Sequence, residues 1–402
     1  MRRLHIVSAF CVISKFYIIY KVFISLGEFM DYFLMHKDDP VARISIEPDG
    51  IKWEENINKE LLPIAALNAQ DDDMHDRLTN WNDSRCIPFG RPNYKELSRQ
   101  AGVNRASDWI LKSHMCSLTD CYWFKTVDSD ISWNNVNFHE NGSSSNVYKF
   151  LFYGNLSEVI QNFNSPDLTT DGYEPKGWLQ RDGDFYLAKG SHAQTTRIQC
   201  NEKIASWIFS EMGINCVPYE LEYCNNKLCS VSKCFINSDK EEFVPTEDLL
   251  VAYGHDMFTV REMFEKLGLK SSFDKMVLAD YIIGNVDRHA HNFGVIVDSE
   301  THEILRFAPL FDHGESYMRT CVDSHMYLPG AKSFGNAILD VDKEILPAVN
   351  KIDPESFIDL LHSIPYLEED AKEEMYYELF RRVDFINELS IEREVEIDDR
   401  EH

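Results

Sequence analysis

The apolar residues of this chain recur every three or four positions in two stretches, a period that predicts amphipathic helices. The first predicted helix covers 201–209 and the second covers 368–389. Their apolar positions are Ile204, Trp207 and Ile208 in the first, with Met212 continuing the period beyond it, and Met375, Leu379, Val383 and Ile386 in the second. The second stripe is typical of a helix that packs with one side on a larger core.

Runs rich in β-branched residues predict strands, and the most informative of them follow an apolar helix that ends near Gly284. After this helix the chain enters a polar loop, a strand at 293–297, a turn at 298–300 and a second strand at 304–307. Further strands are predicted at 30–36, 41–46, 184–189, 217–223 and 228–236, and further helices at 78–81 and 94–101.

Three side chains with oxygen donors are expected at one end of the hairpin formed by the strands 293–297 and 304–307. Asp287 and Asn292 belong to the polar loop, and Asp312 follows the second strand in an Asp-x-Gly sequence. Phosphoryl transfer from ATP needs a carboxylate that orients the attacking hydroxyl, together with an amide and a second carboxylate that hold Mg²⁺ against the phosphates. The order helix, loop, hairpin, Asp-x-Gly therefore predicts an ATP and Mg²⁺ site.

The alternative is that Asp287, Arg288, His289 and Asn292 only cap and turn the end of a helix, as Asp and Asn commonly do. The spacing Asp-x-x-x-x-Asn is weak by itself in a chain so rich in Asp. Capping does not account for the Asp-x-Gly that follows the hairpin, so the phosphoryl-transfer interpretation is favoured.

The segment 284–294, which reads GNVDRHAHNFG, resembles the catalytic loop of HipA-type serine/threonine kinases, the toxin halves of bacterial toxin–antitoxin pairs. Its Asp-Arg-His-x-x-Asn core also resembles CtkA-type and, more distantly, phosphatidylinositol kinases. The resemblance implies that Asp287 is the catalytic base and that Asn292 and Asp312 are the metal ligands. His313 stands where many kinases have Phe, which is a departure from their pattern.

The resemblance further implies a lysine on an upstream strand and a glutamate on the next helix. Lys189 ends the predicted strand 184–189, and Glu202 is expected in the first turn of the following helix. A carboxylate partner would hold the ammonium in register with the α- and β-phosphates. Both residues are alternatively ordinary surface charges, as most Lys and Glu are. Their order relative to Asp287 favours the pair.

The loop that would cover the phosphates is expected at 165–173, where Gly172 is the only glycine. HipA-type kinases are similar in lacking the full glycine set, and in them this loop is ejected when one of its hydroxyls is phosphorylated. By resemblance, the candidate self-modification sites are Ser165, Thr169 and Thr170. A solvated surface turn is the alternative. The hinge that contacts adenine is expected at 235–238 and includes Phe235 and Ile236.

The implied fold is α+β and bilobal, a protein-kinase-like fold with a small β-rich lobe at 162–244 and a larger, mostly helical lobe at 245–390. Residues 30–161 form an N-terminal accessory region, and the tail 391–402, dominated by Glu and Asp, is expected to be solvated. The stretch 4–26 within 1–29 is apolar but contains Lys15 and Lys21, which makes membrane insertion marginal. The extension 1–29 is interpreted as an over-extended start, with a membrane anchor as the alternative.

Composition narrows the class of partner. The chain has 402 residues and a formal net charge of -27, which argues against direct binding to a nucleic-acid backbone. Its ten cysteines contain no C-x-x-C pair, and the spacing of Cys224, Cys229 and Cys234 does not suit zinc. Reduced, buried cysteines are typical of a cytoplasmic protein.

Two other functions share parts of this pattern. A phosphoinositide kinase would keep Asp287, Asn292 and Asp312 but would present basic residues to an anionic headgroup, and Arg319 and Lys332 are sparse after Asp312. A catalytically silent binding module would keep the fold and lose one chemical residue, whereas all the expected residues are present. The sequence thus favours an ATP-dependent kinase acting on a protein Ser or Thr hydroxyl, with an antitoxin as a possible partner.

Overall fold

The computed structural model of the chain describes residues 30–47, 50–70, 73–154, 159–191, 196–224, 226–253, 260–317 and 334–401. The apolar stretch 4–26, predicted to be part of an over-extended start or a membrane anchor, lies outside the described residues. Within the described ranges, no helix is both long enough and apolar enough to cross a membrane.

The accessory region is built on an antiparallel sheet with the strand order β3-β2-β1-β4. Its strands are β1 (Met30–His36), β2 (Asp39–Glu47), β3 (Gly50–Asn56) and β4 (Tyr122–Thr126). β1 pairs on both edges, so that Tyr32 lies opposite Ile44 on one side and Thr126 on the other. The strand predicted at 30–36 is confirmed, and the second strand begins at Asp39, earlier than predicted.

Short helices pack against this sheet. They are α1 (Met74–Arg85), α2 (Tyr94–Ala101), α3 (Trp133–Val136), α4 (Phe138–Asn141) and α5 (Val147–Tyr153). Leu78 of α1 and Leu97 of α2 are fully buried in one core with Leu34 and Ile44 of the sheet. The helices predicted at 78–81 and 94–101 are confirmed.

A second antiparallel sheet, with the order β5-β6-β8-β7, follows the accessory region. Its strands are β5 (Lys176–Arg181), β6 (Asp184–Lys189), β7 (Glu220–Cys224) and β8 (Lys227–Lys233). Asp182 and Gly183 join β5 to β6 with positive φ angles of 52° and 91°, the conformation of a tight hairpin turn. Lys189 therefore stands at the end of a central strand, opposite Lys176 on one neighbour and Ser230 on the other.

The helix after β6, α6 (Arg197–Met212), begins earlier than its apolar period indicates. Glu202 consequently lies in the second turn of the helix, and its predicted place in the first turn is wrong. The strand predicted from 217 also begins later, at Glu220. Pro218 lacks the backbone N–H that a strand ladder requires, which accounts for the later start.

A third sheet has the order β11-β10-β9 and comprises β9 (Glu241–Pro245), β10 (Gly294–Asp298) and β11 (Ile304–Phe307). The hairpin of β10 and β11 confirms the prediction from sequence, whereas β9 was not predicted because it contains adjacent charged residues. A Cβ added at Gly294 would lie 2.1 Å from the carbonyl oxygen of Val244. This close approach is what places the start of β10 directly beside β9.

The described helices after β9 are α7 (Thr246–Tyr253), α8 (Val260–Lys266), α9 (Lys270–Ile283), α10 (Phe334–Ile338), α11 (Pro354–Ser363) and α12 (Glu369–Glu401). The predicted stripe of α12 is buried and contacts α9 and α11. The tail predicted as a separate acidic segment continues α12 as far as Glu401, since Glu favours helix.

Buried polar contacts join the accessory sheet to β9. His36 Nε2 lies 2.8 Å from Glu242 Oε1, and the N–H of Cys121 donates to the same oxygen at 2.7 Å. The cysteines of the described residues carry free thiols. Cys224, Cys229 and Cys234 lie in apolar cores, where burial raises the pKa of Cys229 and Cys234 to about 12 in each case.

Candidate active site

The loop between α9 and β10 carries Asp287 and Asn292 and is held together by its own side chains. Gly284 ends α9 in the left-handed conformation, with φ at 64°. Asn285 Oδ1 accepts a hydrogen bond from the Asp287 N–H at 3.1 Å, and Asn292 Nδ2 donates one to the Asp287 carbonyl at 3.0 Å. Because the amide nitrogen of Asn292 is engaged inside the loop, its Oδ1 is left as the atom for a cation.

A buried arginine, which the sequence suggested only as part of a helix cap, ties this loop to the segment after β11. Arg288 forms a bidentate pair with Asp280, with both contacts at 2.9 Å. It also donates to the carbonyls of Asn292 (2.7 Å) and Phe311 (2.6 Å) and to Nδ1 of His313 (3.1 Å). Neither charged side chain is exposed, so mutual pairing offsets the cost of removing both from water.

Asp312 has left-handed backbone geometry, with φ at 58°, which residues with a Cβ seldom adopt. Its N–H donates to the hydroxyl of Tyr219 at 3.1 Å, and its carboxylate pairs with the ammonium of Lys189. Burial raises the pKa of Asp312, but the charges of Lys189 and Lys176 outweigh this and hold the pKa below its ordinary value. The carboxylate is therefore ionised at neutral pH.

Lys189 and Glu202 form a buried ion pair. Lys189 Nζ lies 3.0 Å from Glu202 Oε1, and Glu202 Oε2 accepts the N–H of His313 at 2.8 Å. Burial lowers the pKa of Lys189, but the carboxylates of Asp312 and Glu202 outweigh this and raise the pKa well above its ordinary value. The ammonium thus stays charged and links the second sheet and α6 to the segment that contains Asp312.

His313 and Gly314 pack the segment that contains Asp312 against α6. His313 is fully buried, and its ring lies edge-on to Phe209 of α6 at 4.9 Å. Burial and the neighbouring Arg288 lower the pKa of His313 well below its ordinary value, so the ring is neutral. A Cβ added at Gly314 would lie 2.7 Å from Ile198 Cγ2. Only glycine therefore lets the chain pass this close to α6.

One cavity of about 670 Å³ brings most of the predicted site residues together. Those that line it are Asp287, Asn292, Asp312, Lys189, Glu202, Gly172, Phe235, Thr169 and Thr170. Two predicted residues do not line it. Ile236 is 1% exposed and packs in an apolar core with Trp133 and Phe138, and Ser165, the first residue of the loop 165–173, is 2% exposed. The side chain of Ile236 therefore has a packing role, and the contact of the hinge 235–238 with adenine stays a prediction.

Phe235 contributes an aromatic wall to the cavity. Its ring stacks on Phe311, with the centroids 5.5 Å apart and the planes at 29°, and Phe243 meets both rings edge-on at 5.5 Å. The wall lies between the end of β8 and the start of the third sheet. An aromatic surface of this kind suits the flat face of a nucleobase.

Comparisons with known proteins identify the fold. No family model matches the chain, and neither does any curated protein. HipA of Shewanella oneidensis MR-1, solved with HipB and operator DNA of a toxin–antitoxin system, aligns with a TM-score of 0.57 and 13% identity over 89% of this chain and 99% of that chain. The chain has a HipA-like fold. The proinflammatory kinase CtkA of Helicobacter pylori is a further neighbour, with a TM-score of 0.48 and 19% identity over 57% of this chain and 94% of that chain.

Within this HipA-like fold, Lys176 is a second buried cation that sequence reasoning missed. It opens β5, lines the cavity and is 7% exposed. Its Nζ would lie 2.5 Å from a Cβ added at Gly172, so the ammonium packs against the loop backbone. Burial and the charge of Lys189 lower the pKa of Lys176 to about 8. The sequence signal that could have revealed Lys176 is its position, which lies directly opposite Lys189 when β5 and β6 pair as a hairpin.

The hydroxyl groups of the loop 165–173 form hydrogen bonds within the protein. Ser165 Oγ donates to Asp167 Oδ2 at 2.6 Å, and Thr170 Oγ1 donates to the Asp167 carbonyl at 2.8 Å. Thr169 Oγ1 donates to the carbonyl of Cys116 at 3.1 Å. Each hydroxyl would have to leave these contacts before it could accept a phosphoryl group.

Proposed function

We propose that this protein is a HipA-like, ATP-dependent kinase that transfers the γ-phosphate of ATP to a Ser or Thr hydroxyl of a protein. One observation carries the proposal. The buried pair of Lys189 and Glu202 contacts the segment of Asp312, and these groups line the same cavity as Asp287 and Asn292. The order along the chain and the chemistry of these groups match the requirements of phosphoryl transfer.

Each residue has a proposed role. Lys189 binds the α- and β-phosphates, and Glu202 keeps its ammonium in place. Asn292 Oδ1 and the ionised carboxylate of Asp312 are hard oxygen donors that suit Mg²⁺. When bound, Mg²⁺ supplies neutralisation of negative charge on the phosphate oxygens. Lys176 adds a further positive charge next to Gly172.

Asp287 is the proposed base. Partial burial raises the pKa of Asp287, and the nearby negative charge of Asp312 acts in the same direction. A raised pKa makes the carboxylate a better acceptor for the proton of an attacking hydroxyl. The hydrogen bonds at the Asp287 N–H and carbonyl hold the residue in place while its carboxylate stays available.

The metal assignment is tested by nucleotide binding with and without Mg²⁺. Asn292→Ala and Asp312→Asn should each weaken Mg²⁺-dependent ATP binding by about tenfold or more, because a hard-oxygen ligand is lost. Asparagine is chosen at 312 because it tolerates the left-handed backbone. Titration calorimetry measures the affinities.

Asp184→Ala is the control, since Asp184 pairs with Lys233 on the surface at 2.7 Å. The same Mg²⁺ dependence in wild type and both site variants would overturn the assignment.

The proposal extends to self-modification of the loop. Incubation with ATP and Mg²⁺ should add phosphate to Ser165, Thr169 or Thr170 in the wild type and not in Asp287→Asn. A phosphate there brings about two negative charges next to the site proposed for the phosphates of ATP, and the repulsion should expel the loop and lower activity. Intact-mass measurement of both proteins tests this. Wild-type protein that stays unmodified yet phosphorylates phosphatidylinositol vesicles would favour the lipid-kinase alternative.

The proposal also includes an antitoxin partner. Support comes from the HipA neighbour, which was solved together with HipB and operator DNA. Direct binding of this chain to nucleic acid is not expected, because its formal net charge is -27. Contact with DNA would then be made by the partner.

A further inference from the structure

A segment of the accessory region, 87–91, runs alongside the loop that covers the phosphate end of the cavity. The N–H of Ile87 donates to the carbonyl of Leu168 at 2.8 Å. A Cβ added at Gly90 would lie 2.6 Å from the ring of Tyr173, so the two backbones are separated by little more than that ring. The segment 87–91 therefore contacts the loop at two places, Leu168 and Tyr173.

Arg91 makes the central contact. Its Nη2 shares its two N–H groups among the carbonyls of Thr170 (2.6 Å), Asp171 (2.6 Å) and Gly172 (2.7 Å), and its Nε donates to the carbonyl of Gly172 (2.9 Å). Its Nη1 donates to Thr170 Oγ1. All five hydrogen bonds that the structure gives this guanidinium thus end on three consecutive loop residues.

The burial of Arg91 indicates that these bonds determine the loop position. The side chain is 2% exposed, and burial lowers its pKa to about 10, which leaves it charged at neutral pH. A buried guanidinium requires hydrogen-bond acceptors, and here the loop carbonyls and the Thr170 hydroxyl supply them. Release of the loop would leave this cation without those partners.

The direction of the carbonyls has a consequence for the opposite side of the loop. In a trans peptide the C=O and the following N–H point in opposite directions. Because three successive carbonyls converge on Arg91, the N–H groups of Asp171, Gly172 and Tyr173 point away from it. The Gly172 N–H already binds a carboxylate oxygen, that of Asp171, at 2.6 Å. The side of the loop opposite to Arg91 therefore carries backbone N–H donors, which suit an anionic ligand.

We propose that Arg91 is a positioning residue for ATP: it holds residues 170–172 over the phosphate end of the cavity, so that the accessory region sets the affinity for the nucleotide's phosphates. This inference rests on the proposed kinase function. It assigns to the accessory region a role in the active site, although none of its residues needs to contact ATP.

The test compares Mg²⁺-ATP with adenosine, which lacks phosphates. Arg91→Met fills the buried space but removes every donor, and it should weaken Mg²⁺-ATP binding by about tenfold or more, in keeping with the loss of charged hydrogen bonds. Adenosine binding should be unchanged. In a kinetic assay the KM for ATP should rise more than kcat falls. Arg91→Lys keeps the charge, but its shorter side chain has three donors where the guanidinium has five, so it should show the same pattern to a smaller degree.

Arg77→Met is the matched control. Arg77 also belongs to the accessory region and donates to a backbone carbonyl outside it, that of Val251 at 2.8 Å, but it does not contact the loop. Thermal unfolding measures the stability of every variant. The control should lose stability without any change in ATP affinity.

Three results would overturn the inference. Arg91→Met with wild-type affinity for Mg²⁺-ATP, equal weakening of ATP and adenosine binding, or failure of both Arg91 variants to fold would each assign Arg91 a purely structural role. Wild-type protein that binds neither ligand would instead refute the proposed function itself, and the inference with it. The two failures are therefore distinguishable.

Discussion

Replacement of Asp287 by asparagine should lower the rate of phosphoryl transfer by about 10²–10⁴, the usual contribution of a positioned general base. Asparagine keeps the size of the side chain and leaves the hydrogen bonds at the Asp287 N–H and carbonyl in place. ATP binding should therefore be preserved while turnover falls. Single-turnover assays at saturating ATP separate the two quantities.

Asp184→Asn is the matched control for this substitution, because Asp184 lies on β6 and pairs with Lys233 at the surface. The control should transfer phosphate at the wild-type rate. Unchanged turnover in Asp287→Asn would mean that another group accepts the proton.

Replacement of Arg288 by methionine should lower the free energy of unfolding by about 3–5 kcal/mol, as expected when one partner of a buried ion pair is removed. Asp280 would remain fully buried without its cation, and the carbonyls of Asn292 and Phe311 would lose their donor. Urea denaturation followed by circular dichroism measures the loss.

Arg306→Met provides the comparison. Arg306 also forms a bidentate pair, with Glu241 at 2.7 and 2.6 Å, but its side chain is 44% exposed. Such a pair contributes about 1 kcal/mol or less. Equal destabilisation by the two substitutions would contradict the central structural role given to Arg288.

The hairpin and the loop before it could be predicted from sequence because their signals are local. Gly284, the β-branched run of β10 and the Asp-x-Gly after β11 lie within one short stretch, and each has a conformational preference of its own. The helical periods of α6 and α12 were equally clear. The apolar period did not predict where α6 begins, and for that reason Glu202 was placed one turn too early in the helix.

The contacts that hold the site together could not be predicted from the sequence, because they join segments that are far apart along the chain. Arg288 and Asp280 are both charged residues in or next to an apolar stretch, but nothing local says that they face each other. Arg91 precedes the loop that it holds by about eighty residues, since it contacts Thr170 across a separation of 79. Ile236 is adjacent to Phe235 but points into a core, a choice that depends on the neighbouring helices.

The central claim, transfer of phosphate from ATP to protein Ser or Thr, is tested most directly by phosphoproteomics after induced expression of the wild type and of Asp287→Asn in the same host. The account predicts Ser and Thr phosphosites that appear with the wild type and are absent with the variant. Identical phosphoproteomes, with newly formed phosphatidylinositol phosphates only in the wild-type cells, would contradict it.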